Sequence, residues 1–251
     1  MAIDLNCDMG EIPALVADGT QDALMASVSS VNVACGGHAG DEHTMELTIR
    51  QAMRHGVRIG AHPGYADRVH FGRLESNLPP ADVGELVYRQ LCALDRIAAH
   101  CQASIGHVKA HGALYNQAVR DAAVAGAFAA GVARWRRDIV LVGLAGSQML
   151  EVFRAAGFRV AAEAFADRRY EADGTLRARR FPDALIHEPA QAAEQALSIA
   201  SRGSVVSATG SRCAVEAATV CIHSDTPGAP AIARAVAAAL RGAGITIQAL
   251  T

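Results

Sequence analysis

Short apolar segments recur along the chain, and longer segments with a helical spacing of apolar residues separate them. Seven of the short segments are rich in Val and Ile, as buried parallel strands are. They are Ile3–Cys7, Val31–Cys35, Val57–Ala61, Ile105–Lys109, Ile139–Leu144, Phe158–Ala162 and Thr219–His223. The pattern predicts seven buried strands.

The intervening segments predict amphipathic helices, because apolar residues return in them every three or four positions. Pro fits the first turn of a helix, Gly follows the last turn, and Asp is a frequent cap. The predicted helices follow Asp41, open near Pro80, Pro189 and Pro230, and cover Val124 to Trp135.

Strands that alternate with helices imply a parallel sheet, either closed into a seven-stranded barrel or open and doubly wound. The length of 251 residues favours a (β/α) barrel of the TIM type, formed as one domain over residues 1–251. Two connections, 62–80 and 167–189, are too long to be simple turns, and long loops in compact domains are usually functional. Residues 204–215 predict a small β-hairpin.

Composition narrows the class of protein. The net charge of −2 argues against a general polyanion-binding surface, and 51% hydrophobic residues argue against disorder. No apolar run reaches the roughly 18 residues of a membrane helix. The N-terminus has no pattern of a signal peptide, so we expect a cytoplasmic protein. The six cysteines form no metal-ribbon spacing, and we expect free thiols rather than disulfides.

Polar residues collect where the predicted strands end. The carboxyl ends of parallel strands share one edge, where ligand sites form. We therefore expect these distant segments to meet in space, although Asp8 and Asp41 also stand where helix caps belong. The residues in question are Asn6, Asp8, Glu11, His38, Asp41, His62, Tyr65, Lys109, His111, Tyr115, Asn116, Glu163, Asp167, Arg168, His223 and Asp225.

The single lysine of the chain, Lys109, stands out among 23 basic residues. Arg serves elsewhere for positive charge, so Lys109 suits work that needs a compact ammonium or a titrating amine. It alternates with His107 and His111, which places the three side chains on one face of a strand. Such a face is costly in a sheet core unless it serves a site; the alternative is an exposed edge strand.

Several chemistries are open at this edge. Histidines and Asp8 could hold a divalent metal, although no HExxH helix is present. The chain lacks a P-loop, a GxGxxG turn and a GxSxG elbow, which argues against nucleotide binding by a phosphate loop and against a serine hydrolase. Cys7 and Cys35 are weaker candidates for a nucleophile.

Six ordered motifs resemble the LamB/YcsF family over residues 3 to about 245. They are Asp4-Leu-Asn-Cys-Asp-Met-Gly-Glu11, Asn32-Val-Ala-Cys-Gly-Gly-His-Ala-Gly-Asp41, Gly60-Ala-His-Pro-Gly-Tyr65, His107-Val-Lys-Ala-His-Gly-Ala-Leu-Tyr-Asn116, Glu163-Ala-Phe-Ala-Asp-Arg-Arg-Tyr170 and Cys221-Ile-His-Ser-Asp-Thr-Pro-Gly228. The resemblance implies a seven-stranded barrel related to glycoside hydrolases and deacetylases. It also implies ATP-dependent cleavage of 5-oxo-L-proline to L-glutamate by a 5-oxoprolinase. The family contains the A subunit of that enzyme, so the resemblance also implies the B and C subunits as partners.

The resemblance and the strand-end pattern together give a candidate site. We expect catalytic roles for Asp8, His38, His62, Lys109 and His111, with Asp8, His38 and His62 as the metal ligands if a divalent metal is bound. The other eleven polar residues are expected to bind substrate: Asn6, Glu11, Asp41, Tyr65, Tyr115, Asn116, Glu163, Asp167, Arg168, His223 and Asp225. ATP is expected as a co-substrate handled with the partner subunits.

Two rival classes stay open. One is a stand-alone, metal-dependent deacetylase or amide hydrolase of the same barrel group. The other is a non-catalytic partner-binding protein with a vestigial pocket. The oligomeric state, including a homo-oligomer, also stays open.

Overall fold

A closed parallel barrel organises the computed structural model, which describes residues 1–251. Each strand pairs in parallel with the next, and the first strand also pairs with the last, which closes the cylinder. The barrel strands are β1 (Ala2–Met9), β2 (Ser30–Ala34), β3 (Arg58–His62), β4 (Ile105–Lys109), β5 (Val140–Leu144), β6 (Arg159–Phe165) and β9 (Thr219–His223). The predicted seven-stranded barrel is confirmed, and the open doubly wound alternative was wrong.

Helices surround the barrel. They are α1 (Pro13–Ala17), α2 (Thr20–Met25), α3 (Glu42–His55), α4 (Pro80–His100), α5 (Gly112–Arg120), α6 (Ala122–Trp135), α7 (Gln148–Ala155), α8 (Pro189–Arg202) and α9 (Ala229–Gly242). Asp41 caps α3, where its carboxylate accepts a bond from the Thr44 N–H at 2.8 Å. Gly203 follows α8 in the left-handed conformation, with φ of 58°. Capping residues therefore set the helix ends where the sequence indicated them.

Three short strands lie outside the barrel. β7 (Ser204–Val206) and β8 (Arg212–Ala214) form the predicted antiparallel hairpin, and β10 (Thr246–Ile247) pairs with β1. The sequence did not predict β10 or the helices α1, α2, α5 and α7. All of these elements are short, from 2 to 9 residues, so their hydrophobic periodicity is too brief to recognise.

Two barrel strands run further than predicted. β1 continues to Met9 and β6 to Phe165. Asp8 and Glu163 therefore lie within strands of the barrel, rather than in the loops that follow them.

The apolar core and the site end of the barrel differ in chemistry. One continuous cluster of buried apolar residues packs the strands against the helices. A second, small apolar cluster of Val140, Val142 and Ala161 is separate from it. Buried polar side chains of the barrel strands form the floor of the site described below.

The two long connections carry no helix and no barrel strand. Residues 63–79 follow β3, and residues 166–188 follow β6 with isolated bridges at Arg168–Leu185 and Tyr170–Leu176. Both contribute to the cavity at the carboxyl ends of the strands. None of the helices is long and apolar enough to cross a membrane. All six cysteines are free thiols.

Candidate active site

A cavity of about 500 Å³ opens at the carboxyl ends of the barrel strands. Its walls come from strands far apart in the sequence and from both long connections, as the strand-end pattern predicted. The predicted site residues that line it are Asp8, Glu11, His62, Lys109, His111, Tyr115, Asn116, Arg168, His223 and Asp225.

Lys109 lies on the floor of this cavity between two carboxylates. Its Nζ is 3.0 Å from Asp8 Oδ1, 2.9 Å from Glu163 Oε1 and 3.2 Å from Cys221 Sγ. Burial alone would lower the pKa of Lys109, but the charge of Asp8, together with the other acidic neighbours, outweighs burial and raises it well above its ordinary value. Lys109 is therefore a fixed ammonium, and β4 is an interior strand between β3 and β5 rather than an exposed edge.

Three histidines converge on Glu11 beside this floor. Glu11 Oε1 is 2.9 Å from His38 Nε2, 3.0 Å from His111 Nδ1 and 3.8 Å from His62 Nε2. The rings of His38 and His111 stack with centroids 3.5 Å apart. Asp8 Oδ2 approaches the same group at 3.4 Å from His62 Nε2.

Backbone carbonyls fix the tautomers of two of these rings. His62 Nδ1 lies 2.9 Å from Lys109 O, and His111 Nε2 lies 2.8 Å from Phe71 O. A carbonyl only accepts, so these two nitrogens carry the protons. In the neutral rings the opposite nitrogens, His62 Nε2 and His111 Nδ1, then face each other with lone pairs at 3.0 Å.

The Phe71 carbonyl reaches His111 from a strained backbone. Phe71 has φ of 56°, in the left-handed region that costs a non-glycine residue about 1–3 kcal/mol. Strain of this kind persists where the surrounding structure enforces it, and here it accompanies the bond that orients a site histidine.

The charge of the floor calls for a cation. Three buried carboxyl groups, those of Asp8, Glu11 and Glu163, lie beside one buried ammonium, that of Lys109. Burial opposes ionisation of His62, yet the Asp8 carboxylate outweighs burial and raises the pKa of His62. Two inward lone pairs and an excess of carboxylates are the donor set that a divalent metal or a proton requires.

Potential metal-ligand atoms come together in two groups of side chains. The four residues whose ligand atoms lie within 4.8 Å of one another are Glu11, His38, His62 and His111. His38 and His62 belong to the predicted ligand set, whereas Asp8 groups instead with Cys221 and His223.

An Asp–His pair lies beside the floor, where His223 on β9 is the register partner of Asp8 on β1. His223 Nδ1 lies 2.9 Å from Asp167 Oδ1, and Asp167 Oδ2 also accepts from Thr226 Oγ1 at 2.7 Å. Burial raises the pKa of Asp167, but the charge of His223 and the hydrogen bonds from His223 and Thr226 dominate and lower it to about 2. Asp167 is therefore ionised, and it orients the His223 ring, which lines the cavity.

Arginines dominate the outer part of the cavity. Arg168 is 7% exposed and forms no ion pair; its guanidinium donates to Arg177 O at 2.7 Å, and its Nε has no partner. Burial, and then the charge of Arg179, lower the pKa of Arg168 to about 10. A buried cation without a carboxylate is costly, and an anion in the cavity would offset that cost at Arg168.

The remaining predicted residues lie outside the cavity lining. His38, Glu163 and Asp167 are buried and contact the lining residues Glu11, Lys109 and His223 in turn, and Asn6 donates to Glu163. Asp41 and Tyr65 do not line the cavity. Asp41 caps α3, and the Tyr65 hydroxyl donates a hydrogen bond to Gln117 at 2.7 Å.

The two candidate thiol nucleophiles do not reach the cavity either. Cys7 and Cys35 are at most 2% exposed and are absent from its walls. Burial raises the pKa of Cys35 to about 12 and that of Cys7 well above its ordinary value. Both act as small core residues.

Sequence reasoning did not assign four arginines that line the cavity. Arg73 comes from the connection after β3, Arg120 from the end of α5, and Arg179 and Arg180 from the connection after β6. Arg73 and Arg179 both pair with Asp225. The concentration of Arg in residues 168–180, within an unusually long loop, was the available signal.

Fold and site together define a (β/α)-barrel enzyme with a cavity of histidines and carboxylates at the carboxyl ends of its strands. The LamB/YcsF family model matches residues 3–251, and the chain belongs to this family.

Relatives cover the full length of the chain. The A subunit of the 5-oxoprolinase from Chloroflexus aurantiacus is 48% identical over 249 residues, covering 99% of this chain and 98% of that protein. The one from Bordetella pertussis is 47% identical over 248 residues, with 99% and 98% covered. The crystal structure of a lactam utilization protein from Thermus thermophilus superposes with a TM-score of 0.92 at 41% identity, with both chains covered completely.

More distant structures share only the barrel. A family 4 carbohydrate esterase from Streptomyces lividans has a TM-score of 0.52 at 12% identity, covering 100% of this chain and 93% of that one. This likeness extends to the fold alone.

Proposed function

We propose that this chain is the A subunit of an ATP-dependent 5-oxoprolinase, which hydrolyses the lactam of 5-oxo-L-proline to L-glutamate. Its relatives of 47–48% identity carry the name of that subunit. The observation that carries the proposal is the pairing, within one cavity, of a buried Arg168 without an anion and the Asp8–Lys109 floor. A small cyclic amide with a carboxylate needs both.

The carboxylate of the lactam is bound by Arg168. Its unpartnered Nε offers a charge-assisted hydrogen bond in a buried position, where such bonds are strong. Tyr115 also lines the cavity, and its hydroxyl, which lies beside Glu163, offers a second donor. These two groups fix the orientation of the ring.

The carbonyl and the attacking water belong at the floor. Asp8 Oδ2, which is not engaged by Lys109, accepts a proton from water as the water oxygen bonds to the lactam carbon. The Lys109 ammonium stabilises the negative charge that develops on the carbonyl oxygen.

Ring opening needs a proton on the leaving nitrogen. His223, oriented by Asp167, donates this proton as the C–N bond breaks. The proton that Asp8 took from water then passes to His223, which returns both groups to their starting states. A ring nitrogen of His223 lies within 4.8 Å of an Asp8 carboxylate oxygen, so acid and base can flank one bond. Water attack on the free lactam would consume no ATP, so we assign to the partner subunits a phosphoryl transfer from ATP to the carbonyl oxygen before this attack. Ring opening then leaves a γ-glutamyl phosphate, and its hydrolysis gives phosphate and glutamate, with a free amino group and two carboxylates.

A divalent cation fits the group formed by Glu11, His38, His62 and His111. The inward lone pairs and the excess negative charge support it. When bound, it would supply Lewis-acid polarisation and a water of lowered pKa. The residues of this group otherwise orient water toward the lactam.

The use of ATP is assigned to the complete enzyme. The sequence has no P-loop, since its single lysine is followed by Ala110, and the relatives are named as one component of a larger enzyme, which supports partner chains. We infer that the partner B and C subunits handle ATP and that the enzyme works in the cytoplasm, to which the six free thiols are suited.

Glutamate release from 5-oxoproline tests the proposal. The assay is run with and without ATP, for this chain alone and mixed with the candidate B and C subunits. Glutamate that appears only with ATP and all three chains supports it. Well-folded chains that release no glutamate in any mixture would contradict it.

The donor set of the floor also suits a second candidate, a stand-alone metal-dependent amide hydrolase. That enzyme would release product without ATP and without partners, and it would lose all activity on chelation. The arms of the same assay therefore separate the two.

A further inference from the structure

A chain of hydrogen bonds inside the barrel connects His107 to the floor of the cavity through Asn32. His107 Nε2 lies 2.7 Å from Asn32 Oδ1. The Asn32 amide nitrogen donates to Asp8 Oδ1 at 2.8 Å and to Asn6 Oδ1 at 2.8 Å. All four side chains are at most 4% exposed.

Chemistry fixes the direction of the bonds that link His107 to Asp8. The Asp8 carboxylate, which pairs with the Lys109 ammonium, can only accept, so Asn32 presents its nitrogen to Asp8 and its oxygen to His107. His107 must therefore donate through Nε2. Its Nδ1 is buried without a partner, which leaves a neutral ring with one proton.

The surroundings of His107 agree with this assignment. Burial, and then the charges of Lys109 and Arg58, lower the pKa of His107 to about 3, so the ring is neutral. A Cβ at Gly60 on β3 would lie 2.1 Å from His107 Nε2. Gly60 has no side chain, and it therefore leaves space for the His107 ring.

The effect reaches the reacting centre through Asp8. Asp8 Oδ1 receives both Asn32 Nδ2 and Lys109 Nζ, at 2.8 and 3.0 Å. Oδ2 is left to face His62 at 3.4 Å and the cavity. Asp8 Oδ1 is therefore held by two hydrogen bonds, whereas Oδ2 receives neither of them.

We infer that His107 and Asn32 are positioning residues that hold Asp8 with Oδ2 directed at the substrate. Neither residue lines the cavity, so each acts through Asp8 rather than on the substrate. The inference rests on the proposed function for its kinetic consequence, whereas the hydrogen-bond directions stand on the structure.

Paired substitutions at His107 test it in the complete enzyme. His107→Leu removes the donor at similar volume, whereas the side-chain amide of His107→Gln places a donor near the position of Nε2. We expect kcat for lactam opening to fall by about 10–100-fold in His107→Leu with KM little changed, since losing a group that orients a site residue has an effect of this size. We expect His107→Gln to recover most of that loss.

Asn32→Asp is a stronger perturbation, because it replaces the amide group that donates to Asp8 Oδ1 with a carboxylate oxygen that repels it. Its kcat should fall below that of His107→Leu. Ser198→Ala is the matched control: Ser198 is a buried polar residue of α8 that donates to Ser204 O at 2.7 Å, away from the cavity. It should lower Tm and leave kcat unchanged.

A loss in His107→Gln equal to that in His107→Leu, or a loss confined to KM, would overturn the inference. The ring nitrogens of His107 provide a readout that does not depend on activity or on the folding of a variant. ¹⁵N NMR of the wild-type chain should show a neutral ring protonated at Nε2. A ring protonated at Nδ1, or at both nitrogens, would overturn the inference even if the lactam is opened. A wild-type enzyme that opens no lactam contradicts the proposed function instead, and the tautomer alone then decides.

Discussion

Asp4 and Asp8 lie four residues apart on β1 and point to the same face of the strand, yet their surroundings differ. Asp4 is at the amino end of the barrel and accepts hydrogen bonds from Ser29, Ser30 and Thr219. Burial dominates there and raises the pKa of Asp4. Its hydrogen-bond partners are hydroxyl groups, and none of them is charged.

Asp8 is at the carboxyl end, where its neighbours carry charge. Burial again opposes ionisation, but His62 and Lys109 outweigh it, and the pKa of Asp8 falls well below its ordinary value. The same side chain is thus a structural acceptor at one end of the barrel and an ionised, directed carboxylate at the other. Residues at the amino end of the barrel therefore serve stability, whereas residues at the carboxyl end form the site.

The strongest test of this division exchanges each aspartate for its amide. Asp8→Asn should reduce kcat by about 10²–10⁴-fold, because it removes the general base. Asp4→Asn should leave kcat near that of wild type. Both are measured by glutamate release from the complete enzyme, with circular dichroism to establish folding. Equal losses in the two variants would refute the division.

Lys109→Arg tests the compact ammonium while keeping the charge. The longer, planar guanidinium does not fit between Asp8 and Glu163 as the ammonium does. Turnover should fall by orders of magnitude in a chain that remains folded. Turnover like that of wild type would remove Lys109 from the mechanism.

His62→Ala tests the group that faces Asp8. It should abolish turnover with Tm nearly unchanged, and it should lower any divalent metal that elemental analysis finds in the purified chain. Chelation followed by return of single metals gives the same information without a substitution. A large loss of Tm in His62→Ala would instead mark His62 as a structural residue.

Arg168→Gln tests whether Arg168 binds the carboxylate of the lactam. A lost charge-assisted hydrogen bond of about 1.5–3 kcal/mol corresponds to roughly 10–150-fold in KM for the carboxylate-bearing lactam. The carboxamide of the same lactam, which carries no charge, should be affected much less. An equal effect on both substrates would contradict the assignment.

The smallest expected effect is on the pH dependence of stability. The folded-state pKa of Asp4 is raised, so its contribution is fully present below the unfolded value of about 3.9 and is lost as pH rises through the folded value. Asp4→Asn should therefore gain stability relative to wild type between pH 4 and pH 8. The measurement is Tm at both pH values, where about 1 kcal/mol corresponds to about 2–4 °C. A relative loss over that range would contradict the raised pKa.

Sequence patterns predicted the seven strands because these are short apolar runs, most of them rich in Val and Ile. The length of the chain and the family resemblance then favoured the closed barrel over an open sheet. The patterns also brought the right strand ends together, since parallel strands share one edge. They could not show which side chains each polar residue contacts in the folded chain. Asp41 and Asp8 both stand near strand ends, but only the packing shows that one caps α3 and the other joins Lys109.

The positioning role of Asn32 was equally inaccessible. Asn32 lies in a buried strand, and its partners Asp8 and His107 are 24 and 75 residues away in the sequence. His107 was indicated by its alternation with Lys109, but the direction of its hydrogen bond depends on the Asn32 amide. Such long-range pairings follow from barrel closure and not from local pattern.

A crystal structure of Asp8→Asn with 5-oxoproline bound tests the central assignment most directly, because that variant should bind the lactam without opening it. The lactam carboxylate should contact Arg168, the carbonyl oxygen should contact Lys109 Nζ, and the ring nitrogen should face His223. A lactam bound elsewhere, or bound with its carboxylate at the Lys109 floor, would contradict the proposed site.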